Sequence, residues 1–170
     1  MTHVLAFGAA CAIASAAAAD IVGFTENFTT DAANWRNSNG SATLAWSASG
    51  GPDGGSYASS TFNLSSTTAG GFPPTVIRAQ QSYGSSGGGY VGNWITAGVT
   101  GVRFQFLHDL AEAVTVTGRF ASAANFPGAA VVTFSPVQPN TWTTVFIDLT
   151  PTSPNFVSFE GTSYGAVFSN

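Results

Sequence analysis

The sequence contains no lysine. Its basic residues are four arginines which, set against eight carboxylates and two histidines, leave a net charge of -4 and only 7% charged residues in a chain of 170. Nucleic-acid binding draws on clustered Lys and Arg that neutralise phosphates, and no such cluster occurs here. Cysteine is almost absent. Cys11 is the single one, and a chain with one cysteine cannot build an intramolecular disulfide framework. Helical periodicity of useful length is also missing after Asp20, which argues against a helical bundle or a βαβ fold. Disorder is excluded from the other side, because 44% hydrophobic and 13% aromatic residues suffice for a packed interior. The chain is long enough for one domain with a real core.

The N-terminal stretch from Val4 to Ala19 is small, apolar and uncharged, and ends in Ala17-Ala18-Ala19 before Asp20. This pattern reads as a secretory signal peptide over residues 1–19, with the mature domain over 20–170. It is too short for a membrane span. His3 stands where such a leader usually carries Lys or Arg, and Gly8, rather than Leu, three residues before Cys11 argues against a lipoprotein.

The mature region alternates. In VRFQFLH, Val102, Phe104, Phe106 and His108 share one face. In VTVTGRF, Val114, Val116 and Phe120 oppose Thr115, Thr117 and Arg119. Asp109 to Ala113 would close these two into a hairpin. TWTTVFIDL sets Val145, Ile147 and Leu149 on one face and Trp142 and Phe146 on the other. Shorter strand candidates are IVGFTENF, TLAWSA, YASSTFNL, TVIRAQ, AAVVTF, NFVSF and GAVF, punctuated by Gly, Pro, Asn and Ser. Short strands at this spacing predict an all-β fold, an antiparallel β-sandwich of jelly-roll type. Two Gly/Ser stretches, Ser49 to Ser56 and Tyr83 to Gly92, read as long loops within that domain, where binding residues usually sit.

Two familiar motifs fail on context. Gly84-Ser85-Ser86-Gly87-Gly88 matches the G-x-S-x-G nucleophile elbow, but no helix follows and the only histidine of the mature chain is His108. Gly87, Gly89 and Gly92 match G-x-G-x-x-G without a βαβ unit to carry a dinucleotide. Glycosidase chemistry needs two carboxylates facing each other, and no acid lies in the close alternation that puts two on one face of a strand. For calcium, which takes oxygen ligands from carboxylates, amides and carbonyls, Asp53 in GGPDGGS and Glu26 near the first strand are the candidates. The competing reading gives Asp53 only a turn role, with Pro52 presetting φ. His108 and Asp109 read as hairpin capping rather than zinc ligation. Among the aromatics, Trp46 and Trp142 on strands are expected in the core. Tyr83, Tyr90 and Trp94, with Asn93, form the candidate ligand-facing surface in YGSSGGGYVGNW. Sugar rings stack on exposed aromatic faces while amides and carboxylates read hydroxyls.

FTENFTTDAANWRNSNGSATLAWSASGGPDGGSYAS has an acid-bearing first strand, a Trp, an L-x-W strand and a glycine-rich turn into Gly-Ser-Tyr. It resembles the opening of bacterial secreted jelly-roll domains with the galactose-binding-like fold, some of them similar to the laminin B (domain IV) module. NTWTTVFIDL is similar to the penultimate strand of such domains. The resemblance implies a structural Ca²⁺ site using the first-strand acid and the glycine-rich loop, by position Glu26 and Asp53. It also implies a further acid on a final strand. No such strand follows before Asn170, so the domain is expected to be cut short ahead of it.

These readings converge on a secreted, non-catalytic binding or adhesion module for a polysaccharide or surface glycan, with calcium at most structural. The alternative is a component of an extracellular or surface matrix without a small ligand. A glycoside hydrolase-like enzyme comes third.

Overall fold

The computed structural model describes residues 2–15, 23–37, 40–64, 75–122, 124–133 and 135–169, with the backbone alone over 2–15. Among the described residues, the regular structure is mostly strands in antiparallel sheets. Strands β1 (Thr2–Ser15), β2 (Ala45–Ser47), β3 (Tyr57–Asn63), β4 (Val99–His108) and β7 (Thr143–Asp148) form a five-stranded sheet in the order β2-β3-β1-β4-β7. Strands β5 (Thr117–Ala121), β6 (Gly128–Val132) and β8 (Phe156–Ser158) form a three-stranded sheet in the order β5-β6-β8.

The alternation seen in the sequence decides which faces are buried. Val102, Phe104, Phe106 and His108 of β4 are all buried, as are Val145 and Ile147 of β7 and Leu149 just beyond it. Ala129 and Val131 of β6 join the same cluster, together with Phe62 of β3, and Val116 and Phe120 pack against it. One core therefore takes residues from both sheets, a sandwich-like arrangement. A second cluster, Phe28, Ala32, Trp35, Leu44 and Ala58, lies under the 24–44 segment. Among the described residues, no helix is long and apolar enough to cross a membrane.

Five expectations need correction. The hairpin expected across Asp109–Ala113 does not form. β4 pairs with β1 and β7, while β5 pairs with β6 in the other sheet. Two amphipathic strands can bury their apolar faces across a sandwich as well as side by side, and alternation alone does not distinguish these arrangements. GAVF lies in a short helix, α1 (Tyr164–Phe168), started by Ser163, whose Oγ accepts from the Ala166 N–H at 3.4 Å. IVGFTENF forms no strand over its described part, 23–28, and TVIRAQ contributes only the isolated bridge Arg36↔Arg78. Trp46 lies at the surface, 40% exposed, because its indole N–H donates to the Phe28 carbonyl instead of entering the core. The expected leader contributes β1, and the cleavage position after Ala19 falls in 16–22, outside the described residues.

Candidate functional site

The turn at Ser49–Ser56 is shaped by its own hydrogen bonds. Gly51 N–H donates to Gly55 O at 2.7 Å, Gly54 N–H to Gly51 O at 3.0 Å and Gly55 N–H to Pro52 O at 2.9 Å. Asp53 takes a left-handed φ of 54°, a conformation that Asp tolerates better than most residues. A Cβ at Gly51 would stand 2.7 Å from Ser56 O and 2.8 Å from Gly55 O, so the tightness of this turn requires glycine there. The turn leaves the Asp53 carboxylate exposed, with no hydrogen-bond partner among the described residues.

A second loop faces the turn. Phe28 is buried yet holds φ 49°. Glu26 Oε1 accepts its N–H at 2.7 Å, and the Trp46 indole donates to its carbonyl at 2.6 Å. Those two bonds and the buried ring offset a backbone strain of about 1–3 kcal/mol. They also fix the loop from which Asn27 and Thr29 project. The loops meet where Ser56 Oγ donates to Asn27 O at 3.2 Å.

Between them lies a pocket of about 350 Å³, lined by Asn27, Thr29, Pro52, Asp53, Gly55, Ser56 and Gln105. This volume is at the small end for ligand sites. Its lining combines two amides, two hydroxyls and one carboxylate. Gln105 is held in place by donating from Nε2 to Thr144 Oγ1 at 2.9 Å. Next to the pocket, Tyr57 follows Ser56, and its ring meets Trp142 edge-on at 5.7 Å. The Trp142 indole in turn donates to Gly50 O at 3.0 Å, tying the strand-borne ring to the turn. Trp142, expected in the core, is half-buried on the outer side of β7. Further along that side the Arg103 guanidinium lies 5.9 Å from the Phe146 ring, which covers Gly101.

None of the loop residues expected to face a ligand lines this pocket, and each has a ring or hydrogen-bond partner. Tyr90 meets Phe24 at 4.9 Å and Trp35 at 5.8 Å. Trp94 stacks near Phe120 and Phe168 and donates its indole N–H to Tyr90 O at 2.8 Å. Asn93 Oδ1 accepts the Thr96 N–H, a local turn bond. Tyr83 lies under the Arg36 guanidinium at 4.7 Å, against Gly40. The four residues are all half-buried.

Ser86, His108 and Glu160, outside the pocket, have structural partners. Ser86 Oγ accepts from the Trp35 indole at 2.8 Å. His108 is fully buried. Its Nε2 lies 2.9 Å from Val137 O, and its Nδ1 accepts the Leu110 N–H at 3.3 Å, which assigns the proton to Nε2. Arg119 bonds both oxygens of Glu160, at 2.7 and 2.9 Å, and these bonds hold the Glu160 carboxyl below the usual carboxylate range.

For calcium, the donors are one exposed carboxylate, the Asn27 amide and neighbouring hydroxyls. One oxygen of Glu26 is engaged by Phe28, and the Gly51, Pro52 and Gly55 carbonyls are taken within the turn. No group of three or more His, Cys, Asp or Glu that could hold a metal ion occurs among the described residues. Sequence reasoning named Asp53 but missed Asn27, Thr29, Ser56 and Gln105, which carry no local signal and gain a role only by convergence. Comparison of the chain with protein-family models, with curated proteins and with solved structures finds no match.

Proposed function

We propose that this protein is an exported, non-catalytic module that binds a carbohydrate of a polysaccharide or surface glycan through the pocket beside the Tyr57–Trp142 pair, on a jelly-roll scaffold. The observation carrying this reading is the composition of that pocket. Amide, hydroxyl and carboxylate groups line a small concavity that includes Ser56, next in sequence to Tyr57, whose half-buried ring pairs with that of Trp142. A pyranose presents the complementary surface, hydroxyls at its edge and C–H groups on its faces. The export step rests on the leader pattern in residues 1–19.

The non-catalytic reading draws support from the engaged Ser86 and His108 side chains, and from a lining in which Asp53 is the only carboxylate among the described residues. In the calcium part of the proposal, Asp53 and the second oxygen of Glu26, the one that Phe28 leaves open, would hold the ion and brace the two loops against each other. The test is a glycan array probed with the chain, with and without EDTA, alongside Trp142→Ala. Retention of a glycan family that Trp142→Ala loses is the expected result. Retention of no glycan under either condition would sink the proposal. A melting temperature unchanged by EDTA would remove calcium from it.

A further inference from the structure

β1 holds a position that no other described strand shares. It pairs antiparallel with β3, from Thr2↔Asn63 to Gly8↔Tyr57, and antiparallel with β4, from Leu5↔His108 to Ser15↔Val99. The other edge of β3 belongs to β2 and the other edge of β4 to β7. β3 and β4 are not paired with each other, so the sheet ladder joins β2–β3 to β4–β7 only through β1.

The same segment carries the leader pattern. Without it, two edges would face each other about 10 Å apart, two strand spacings. Being antiparallel to one strand, they run parallel to each other. Closing the gap would shift β2–β3 by a whole strand, carrying Ala58 and Phe62 away from their places in the two clusters. A gap with two intact hydrogen-bonding edges is a template for an added strand.

We infer that the β3–β4 slot is a strand-acceptor site, taking in trans an extended, uncharged segment of a partner protein where β1 lies in cis. The partner strand runs antiparallel to both edges, over roughly seven or more residues. Its chemistry follows from the register. Positions 5 and 7 align with Ser60 and Ala58 on one side and with His108 and Phe106 on the other, of which Ala58, Phe106 and His108 are buried. Positions 6 and 8 align with Ser59 and Tyr57, and with Leu107 and Gln105. The site therefore selects apolar residues at alternate positions and small or neutral ones between. Main-chain bonds to both edges supply affinity, and the alternate positions supply specificity. The occasion for vacating the slot, loss of residues 1–19 on export, rests on the leader reading.

The test uses the full chain with a protease site placed within residues 16–22 and cut after purification. The expected result is that the Thr2–Ser15 fragment stays bound through gel filtration and exchanges with a fluorescent peptide of the same sequence, read as a rise in anisotropy. A peptide carrying Leu5→Asp and Phe7→Asp should bind at least tenfold more weakly. Release of the fragment with an unchanged melting temperature and no peptide uptake overturns the proposal. Precipitation that added peptide prevents supports it, and precipitation that peptide does not prevent counts against it. The mass of the exported chain tests the leader separately. An intact N-terminus would leave β1 in the slot and overturn the uptake of a partner strand in trans.

Discussion

Two glycine-rich loops of similar composition, Tyr83–Gly92 and Ser49–Ser56, meet opposite fates. The first, with the residues that follow it, turns its rings inward. Tyr90 and Trp94 lie edge-on to Phe24, Trp35 and Phe120, and the indole of Trp94 is satisfied by the Tyr90 carbonyl. The second packs its backbone into a self-bonded turn and leads into Tyr57, whose ring meets Trp142 beside a polar pocket. Glycine content gives a loop its freedom. Whether a ring in or next to the loop reaches solvent depends on whether other rings lie within reach to cover it.

This contrast can be broken experimentally, and the largest effect belongs to the inward loop. Trp94→Ala removes a ring packed against Phe120 and Phe168 and should lower stability by roughly 3 kcal/mol, measured by urea denaturation. If the loss of glycan binding in this variant exceeded that of Trp142→Ala at temperatures where both are folded, the two loops would exchange roles. Trp142→Ala should leave the fold intact and weaken binding by about 2 kcal/mol, roughly thirtyfold, by titration calorimetry. Gly51→Ala forces a Cβ against two backbone oxygens. It should cost about 1–3 kcal/mol in denaturation and weaken binding by displacing Asp53. Unchanged stability would show that the turn is looser than its hydrogen bonds indicate.

The smallest effect lies away from both loops. The Arg119–Glu160 pair is partly exposed, so Glu160→Gln should cost less than about 1 kcal/mol near neutral pH. The folded carboxyl titrates below its unfolded value. Its contribution is therefore present above the ordinary carboxylate range and lost as the pH falls through the depressed folded value. Wild type and variant should converge in acid, and a difference that persisted there would assign the effect to packing instead.

Local pattern alone fixed a good part of this protein. The alternation in VRFQFLH and TWTTVFIDL placed Val102, Phe104, Phe106, Val145, Ile147 and Leu149 in the core and left Phe146 outside, 45% exposed. That success has a simple cause. Side chains in a strand alternate between two faces, so the buried set can be read from the order of residues. The Pro52-Asp53-Gly54 turn was legible for a similar reason, since its backbone preferences are carried by the residues themselves.

Tertiary structure decided the rest. Nothing local shows that β5 crosses to the second sheet, that Trp46 and Trp142 stay near the surface, or that Gln105 of β4 reaches the same pocket as Asn27 and Asp53. Nor does the N-terminal segment reveal from its own composition that it pairs with both β3 and β4. Strand pairing and pocket lining join residues far apart in the chain. Their energies depend on which partner's edge or ring is near, and only the folded arrangement settles that.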